Sequence, residues 1–174
     1  MKKLLPLILL ILIGCSEPEP LNYGLLVKKG GVHYRTDTNE IYSGPVFNID
    51  GKSEGTLKKG KFHGPYKLYY DNGQLKKEGT YKDGKLDGPL KFYYDNGQLM
   101  EERTFKDGKR DGPHKWYYPN GQLKVEGTYE SIFQVGPFKT YYDNGQLKEE
   151  GTFKDNQQDG PWKSYHDNGQ LKSE

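Results

Sequence analysis

Residues 64–87 read GPYKLYYDNGQLKKEGTYKDGKLD, and this 24-residue unit is repeated to the end of the chain. Each copy opens with a Gly-Pro dipeptide, and the motif [Asp/Pro]-Asn-Gly-Gln-Leu begins seven residues after that glycine. The five copies begin at Gly64, Gly88, Gly112, Gly136 and Gly160. A fixed short period is typical of one supersecondary unit stacked on copies of itself. The sequence therefore predicts a repeat array.

The residue pattern inside one copy predicts a β-hairpin. Tyr66, Leu68 and Tyr70 alternate with other residues, as in a strand, and residues 75–81 form a second strand after the Asn72-Gly73 turn signal. Neighbouring hairpins are expected to join edge to edge. The predicted fold is all-β, an elongated single-layer antiparallel sheet of tandem 24-residue hairpins. About eleven strands at roughly 4.8 Å each make a sheet on the order of 50 Å long.

A two-residue turn at Asn72-Gly73 also predicts the strand register. The expected partners are Tyr70 with Leu75, Tyr69 with Lys76, Lys67 with Glu78, and Tyr66 with Gly79. Carried to all copies, this register places a lysine opposite a glutamate five times, as Lys67–Glu78, Lys91–Glu102, Lys115–Glu126, Lys139–Glu150 and Lys163–Glu174. Opposite charges favour this alignment, and a slip of one residue would move every side chain to the other face.

The register divides the sheet into an aromatic face and a polar face. The aromatic face carries Tyr66, Leu68 and equivalent residues such as Phe92 and Trp116. The polar face carries the paired charges and a tyrosine column, which consists of Tyr69, Tyr93, Tyr117, Tyr141 and Tyr165. This column is the candidate binding face, together with Lys76, Lys124 and Lys148, because amphipathic rings beside flexible donors suit protein or glycan surfaces. The alternative is that the column only shields the backbone of a one-layer sheet.

One turn departs from the repeat. Residues 130–135 read ESIFQV where two other copies have Lys-Asp-Gly-Lys, which places Ile132 and Phe133 in a solvent-facing loop. Exposed apolar residues can mark a contact site, so these two form a candidate apolar contact loop. The alternative is a drifted turn in which Phe133 folds back over Tyr129.

The first fifteen residues resemble a bacterial lipoprotein signal peptide. Lys2 and Lys3 precede a short apolar run, residues 4–13, and Gly14 stands directly before Cys15. The resemblance implies cleavage before Cys15, lipid attachment to that residue and a location in the cell envelope, whether outer-membrane, periplasmic or surface-facing. The alternative is an ordinary secretory signal or an N-terminal helix with a chance cysteine.

These features divide the chain into four parts. The parts are a signal peptide (1–14), a lipidated tether (15–22), an N-terminal capping hairpin (23–43) and a repeat array (44–174). The capping hairpin is expected to cover the exposed first edge of the sheet. The units of the array are 44–63, 64–87, 88–111, 112–135, 136–159 and 160–174.

Charge and motif content restrict the function. The chain has 26 Lys and Arg against 24 Asp and Glu, and removal of Lys2 and Lys3 with the signal leaves it neutral. This balance argues against a nucleic-acid partner. The histidines are scattered, so we predict no metal site and no cofactor, and His114 is expected to replace an aromatic ring. The residues suggest no reaction centre, and the protein is predicted not to be an enzyme.

The repeated residues resemble the variant MORN repeat. The resemblance is carried by Gly79-Thr80-Tyr81-Lys82-Asp83-Gly84, Gly88 and residues 93–99, and it covers about residues 41–174. It implies an antiparallel hairpin array and a protein-binding or membrane-associating scaffold. Some bacterial members are described as antitoxins of toxin–antitoxin pairs.

The predicted function is therefore a non-enzymatic binding scaffold. It is expected to be a monomeric, membrane-anchored repeat lipoprotein that mediates protein or glycan interactions at the cell envelope. The alternative is an antitoxin or immunity protein that neutralises a cognate toxin. An antitoxin normally meets its toxin in the cytoplasm, whereas the N-terminal signal implies export.

Overall fold

The computed structural model describes residues 18–174, so the predicted signal peptide and Cys15 lie outside the described residues. A short 3-10 turn, Tyr23–Leu25, follows the first strand. The strands are β1 (Leu21–Asn22), β2 (Leu26–Lys29), β3 (Val32–Arg35), β4 (Gly44–Phe47), β5 (Ser53–Lys58), β6 (Lys61–Phe62), β7 (Gly64–Tyr69), β8 (Leu75–Lys82), β9 (Lys85–Tyr93), β10 (Leu99–Lys106), β11 (Lys109–Tyr117), β12 (Leu123–Ser131), β13 (Phe133–Tyr141), β14 (Leu147–Lys154), β15 (Gln157–Gln158), β16 (Lys163–Tyr165) and β17 (Leu171–Ser173).

One long sheet contains 15 of these strands and confirms the predicted array of hairpins. From β4 onward each strand is antiparallel to its neighbour in the sheet, whereas β1 pairs with β4 in parallel. The short strand β6 pairs with β5, which also pairs with β7. Likewise, the short strand β15 pairs with β14, which also pairs with β16. The path across the sheet therefore has 13 strands, against the eleven or so expected.

Two different turns alternate along the array. Asp83-Gly84 has positive φ at both residues (51° and 85°), which is the geometry of a tight two-residue hairpin turn. At residues 71–73 only Gly73 has positive φ, and the Tyr70 amide donates to the Gln74 carbonyl across a three-residue loop. The Asn72 side chain accepts from the Gln74 amide at 2.9 Å and holds this loop.

The longer loop shifts the register beside it and corrects two predicted pairs. Tyr69 pairs with Leu75 and Leu68 pairs with Lys77, so Lys76 is the extra residue of a β-bulge. The predictions that Tyr70 opposes Leu75 and that Tyr69 opposes Lys76 are wrong. Away from the bulge the expected register is restored.

The lysine–glutamate pairs are confirmed. Four of the five are direct strand partners, and Lys163 Nζ lies 3.3 Å from Glu174 Oε1 in the fifth. The same lysines also face the glutamate of the preceding unit, as Lys67 faces Glu54 and Lys91 faces Glu78. We call the resulting row of alternating charges the charge ladder. Its members are Glu54, Lys67, Glu78, Lys91, Glu102, Lys115, Glu126, Lys139, Glu150, Lys163 and Glu174.

Glycines on the aromatic face allow large side chains to lie across the backbone. Gly151 pairs with Phe138, and a Cβ atom at Gly151 would clash with the indole ring of Trp162 in the next unit. In the same way, a Cβ atom at Gly127 would lie 3.2 Å from the ring of Phe138. In these two units a ring packs onto the preceding unit, and at Gly79 the side chain of Leu90 takes the same place.

The N-terminal segment covers the aromatic face rather than the sheet edge. β2 and β3 form a separate two-stranded sheet, so the predicted hairpin exists, but β1 rather than this hairpin pairs with edge strand β4. The expectation that the hairpin caps the edge is therefore wrong. His33 draws the hairpin inward, because its amide donates to the Gly60 carbonyl and its Nδ1 lies 2.8 Å from the same oxygen.

The small buried core lies beneath this covering segment. Tyr42, Val46 and Leu57 are buried, and Leu21, Tyr23, Leu26 and Phe62 pack against them. Leu21 belongs to β1, so the end of the predicted tether (15–22) is part of the folded protein. Beyond this end the array is a single layer, in which most of the shielding side chains are partly buried and Leu90 and Glu101 are buried.

We predict that Gly151→Ala destabilises the array. The added methyl group overlaps the Trp162 ring, and such overpacking costs about 1–3 kcal/mol of unfolding free energy. Urea unfolding followed by circular dichroism measures this cost. In a Trp162→Ala background the same glycine substitution is expected to cost much less. An equal cost in both backgrounds would show that the ring does not lie across the glycine.

Candidate functional site

The tyrosine column lies on the polar face, but its hydroxyl groups are already engaged. Tyr93 donates to Glu78 Oε1 at 2.6 Å, and Tyr69, Tyr141 and Tyr165 make the same bond to the glutamate fifteen residues earlier. Tyr117 is the exception. The charge ladder supplies these acceptors, so the column is tied to the ladder of the preceding unit.

These bonds raise the pKa values of the tyrosines. The hydrogen bond to Glu54 raises the pKa of Tyr69 to about 12. Burial and then the hydrogen bond to Glu126 raise the pKa of Tyr141 to about 12, and the same two causes raise the pKa of Tyr93. The lysines are more distant partners of the glutamates, since Lys91 Nζ lies 3.9 Å from Glu102 Oε1. Tyrosine is therefore the closer neighbour of the carboxylate.

The second tyrosine of each Tyr-Tyr pair forms its hydrogen bond with the following unit. The hydroxyls of Tyr70, Tyr94, Tyr118 and Tyr142 donate to the backbone carbonyls of Tyr93, Tyr117, Tyr141 and Tyr165 at 2.7, 2.8, 2.8 and 2.9 Å. Except for Tyr117-Tyr118, which bonds only to the following unit, each Tyr-Tyr pair thus connects one unit to the unit before it and to the unit after it. These contacts supply a structural role for the repeated tyrosines.

The predicted lysines of the binding face are the bulge residues. Each of them is the extra, unpaired residue at the register shift of its hairpin, namely Lys76, Lys124 and Lys148. Their Nζ atoms lie over the rings of Tyr70, Tyr118 and Tyr142 at 5.2, 5.3 and 5.8 Å from the ring centroids. The structure therefore places these lysines beside the second tyrosine of each pair, and Lys124 Nζ also lies 5.2 Å from the Trp116 centroid, on the aromatic face.

The predicted apolar contact loop is a tight turn between β12 and β13. Glu130 pairs with Phe133, and Ser131 has a positive φ of 60°. Ile132 is 72% exposed and Phe133 is 42% exposed. Both side chains are open to solvent, and in the described residues the aromatic partner of Tyr129 is His114, at 5.7 Å.

The aromatic face is covered at one end and open along the rest. At the covered end, Tyr23 stacks on Phe62 at 6.0 Å, and Phe62 contacts Tyr66 and Tyr81 edge-on or tilted. A cavity of about 290 Å³ opens where the covering segment stops, lined in part by Tyr23, Tyr66 and Tyr81. Farther along, Trp116 is 39% exposed.

Cations lie over the rings of this open face. The Lys77 Nζ atom is 5.9 Å from the Tyr66 centroid and 5.5 Å from the Phe92 centroid. The Arg103 guanidinium is 5.3 Å from Phe92, and the remaining two contacts are Arg110 over Tyr129 at 5.3 Å and Lys124 over Trp116 at 5.2 Å. Burial, and then the Arg103 charge, lower the pKa of Lys77.

A buried ion cluster lies at the centre of the face. Glu101 is 5% exposed and accepts hydrogen bonds from the Arg103 guanidinium and, at 2.7 Å, from His114 Nε2. Burial opposes ionisation of Glu101, but the bonds to His114 and Arg103 outweigh it and lower its pKa to about 2. Glu101 neutralises the charge of Arg103. The neighbouring Lys77 is not part of this ion cluster.

Two further features of the described residues concern metal ligands and membrane spans. Within residues 18–174, His, Cys, Asp and Glu side chains nowhere cluster in threes in a way that would hold a metal ion. Over the same range the chain contains no helix capable of crossing a bilayer. What the geometry provides is a row of rings and cations open to solvent.

The repeat pattern predicted no functional role for Lys77, Glu101 and Arg103, although Arg103 breaks the rule that a glycine stands at this position. The sequence signal that could have found them is variation within the repeat. In the next three copies, the residues equivalent to Lys77 are Glu101, Val125 and Glu149. Likewise Arg103 stands where three other copies have glycine. Positions that break a repeat are free of its structural demands and can differ for a local reason.

Comparison with known proteins gives one family. The family model described as the MORN repeat variant matches more than half of the chain, at residues 62–83, 86–107, 110–131, 134–155 and 158–174. No match was found among curated proteins. Among solved structures, one match is described as "Crystal Structure of TarM", at 15% identity and a TM-score of 0.35. The alignment covers 57% of this chain and 20% of that chain, so this chain spans about a fifth of that protein's length.

We predict that alkaline pH weakens the fold through the tyrosine column. A phenol must keep its proton to donate to glutamate, and the pKa of Tyr141 rises to about 12 in the folded chain from 10.0. The stabilisation is therefore fully present below about pH 10 and is lost as pH rises through about 12.

Urea unfolding as a function of pH measures this loss. The midpoint is expected to fall above about pH 10, and Tyr141→Phe is expected to lower stability near pH 8 by about 1 kcal/mol and to make the alkaline decline shallower. A variant whose pH profile parallels that of the unmodified chain would contradict the bond to Glu126.

Proposed function

The chain belongs to the MORN repeat variant family, and we propose that it is a non-enzymatic binding scaffold that holds a protein or glycan partner on its aromatic face at the cell envelope. One observation carries this proposal. The charge ladder and the tyrosine column satisfy each other across the polar face, whereas the aromatic face is open beyond Tyr81, with Trp116 exposed. Exposed aromatic residues beside cations are typical of interaction surfaces.

The proposed anchor is a lipid on Cys15, and the start of the fold fits this attachment. Glu19 is held against the array, because the Tyr42 hydroxyl donates to its carbonyl at 3.1 Å, and β1 follows directly at the first edge. Pro18 is three positions after Cys15, so the two Cα atoms are about 11 Å apart at most. An acylated Cys15 therefore keeps the first edge near the bilayer. The 13-strand path then extends roughly 60 Å from that edge.

A labelling and capture experiment in the native host tests both halves of the proposal. An alkyne fatty acid is expected to label the full chain, and Cys15→Ser is expected to lose the label and leave the membrane fraction. The tagged chain is then captured from solubilised membranes with its partners. Trp116→Ala is expected to lose partners that a Tyr93→Phe/Tyr117→Phe/Tyr141→Phe variant, altered on the polar face, retains.

Each outcome has a separate meaning. Label that persists in Cys15→Ser would contradict the anchor, and partners that depend on the three tyrosines rather than on Trp116 would contradict the choice of face. Recovery of a single toxin, with loss of growth on deletion of the chain, would replace the scaffold by the antitoxin alternative. Circular dichroism of each variant confirms that the fold is intact.

A further inference from the structure

The two faces of the sheet differ in how their charges are matched. Ladder lysines have a glutamate as a strand partner, as Lys115 has Glu102 and Glu126. On the aromatic face, Lys77 lies between Leu68 and Phe92 on the neighbouring strands. Arg110 lies between Phe105 and Ser131, and Lys124 is a bulge residue. The open face therefore carries three cations that have no carboxylate as a strand partner.

The nature of these contacts favours a protein partner over a glycan. Sugars bind aromatic residues by stacking on bare ring faces, but the faces of Phe92 and Trp116 have cations over them at 5.2–5.5 Å. Tryptophan, tyrosine and arginine side chains are the residues that carry most binding energy at protein interfaces. Unmatched cations between such rings favour carboxylates in the partner.

We propose that the open aromatic face between β8 and β12 binds an extended acidic segment of a partner protein. Carboxylates of that segment pair with Lys77, Arg110 and Lys124, and its apolar side chains pack against Trp116. This inference rests on the proposed scaffold function and specifies its partner.

The dimensions of the face fit a short segment. Lys77 lies on β8 and Lys124 on β12, four strand spacings apart, or roughly 19 Å. About six residues of extended chain span this distance. Glu101 does not compete for the three cations, since it is buried and bound to Arg103 and His114. Glu149 lies beyond this stretch, on β14.

Tryptophan fluorescence with poly-L-glutamate as the probe tests the inference on the purified full chain. The chain has two tryptophans, Trp116 and Trp162, and both lie on the aromatic face, so bound probe is expected to change their emission. Poly-L-lysine of equal length is the charge control. Binding is expected to weaken as salt rises, because exposed charges are screened.

Matched variants locate the site. Lys77→Gln/Lys124→Gln is expected to weaken binding of poly-L-glutamate by about tenfold or more, whereas Lys82→Gln/Lys106→Gln, which removes the same charge from exposed strand ends, changes it by less than about twofold. Arg110→Gln is a second variant of the site, and circular dichroism checks that each chain is folded. Equal loss in both double variants, or loss in neither, would overturn the inference.

A parallel titration with alginate separates this inference from the scaffold function. Binding of this polyuronate through Lys77 and Lys124, without binding of poly-L-glutamate, would replace the acidic protein by an acidic glycan and leave the scaffold in place. Failure of both probes, while Trp116→Ala still loses cellular partners, would reject the acidic partner alone. Failure in the cellular capture as well would reject the scaffold.

Discussion

The alternation of lysine and glutamate across the sheet is the constraint on which the rest of the structure depends. Because the ladder residues face opposite charges on the neighbouring strands, the lysine–glutamate pairing continues from Glu54 to Glu174. Each exposed pair stabilises the fold by only about 0.2–1 kcal/mol, so the ladder selects the alignment more than it adds stability. That alignment decides which side chains share a face.

The two faces consequently have different roles. On the polar face, tyrosine hydroxyls bind the ladder glutamates and the neighbouring backbone, and the repeated residues hold the units together. On the aromatic face, the segment around His33 covers the first units and produces the only part of residues 18–174 with a compact buried core. The rest of that face stays open, and it carries the residues that vary between copies.

Regular features of the fold could be predicted from the sequence, because the same residue pattern occurs in five copies. The hairpins, the lysine–glutamate pairs and the glycine opposite each ring, such as Gly151 opposite Phe138, all follow from the period. The bulge could not, because Asn-Gly is also the signature of a two-residue turn. The sign of φ at Asn72 and the Tyr70–Gln74 hydrogen bond, which identify the three-residue loop, are seen only in the structure. The cluster of Glu101, Arg103 and His114 was missed because it occurs in a single copy, and the parallel pairing of β1 was missed because Leu21–Asn22 has no repeat to mark it.

Reversal of one ladder charge tests the central claim most directly. Lys115→Glu places a carboxylate between Glu102 and Glu126, its two strand partners. The account predicts a loss of about 1–2 kcal/mol in unfolding free energy at low salt, which shrinks near 1 M NaCl because screening weakens the repulsion. Lys82→Glu, outside the ladder, should cost less than about 0.5 kcal/mol. A loss at Lys115 that does not depend on salt, or no loss, would contradict the ladder as the source of the register.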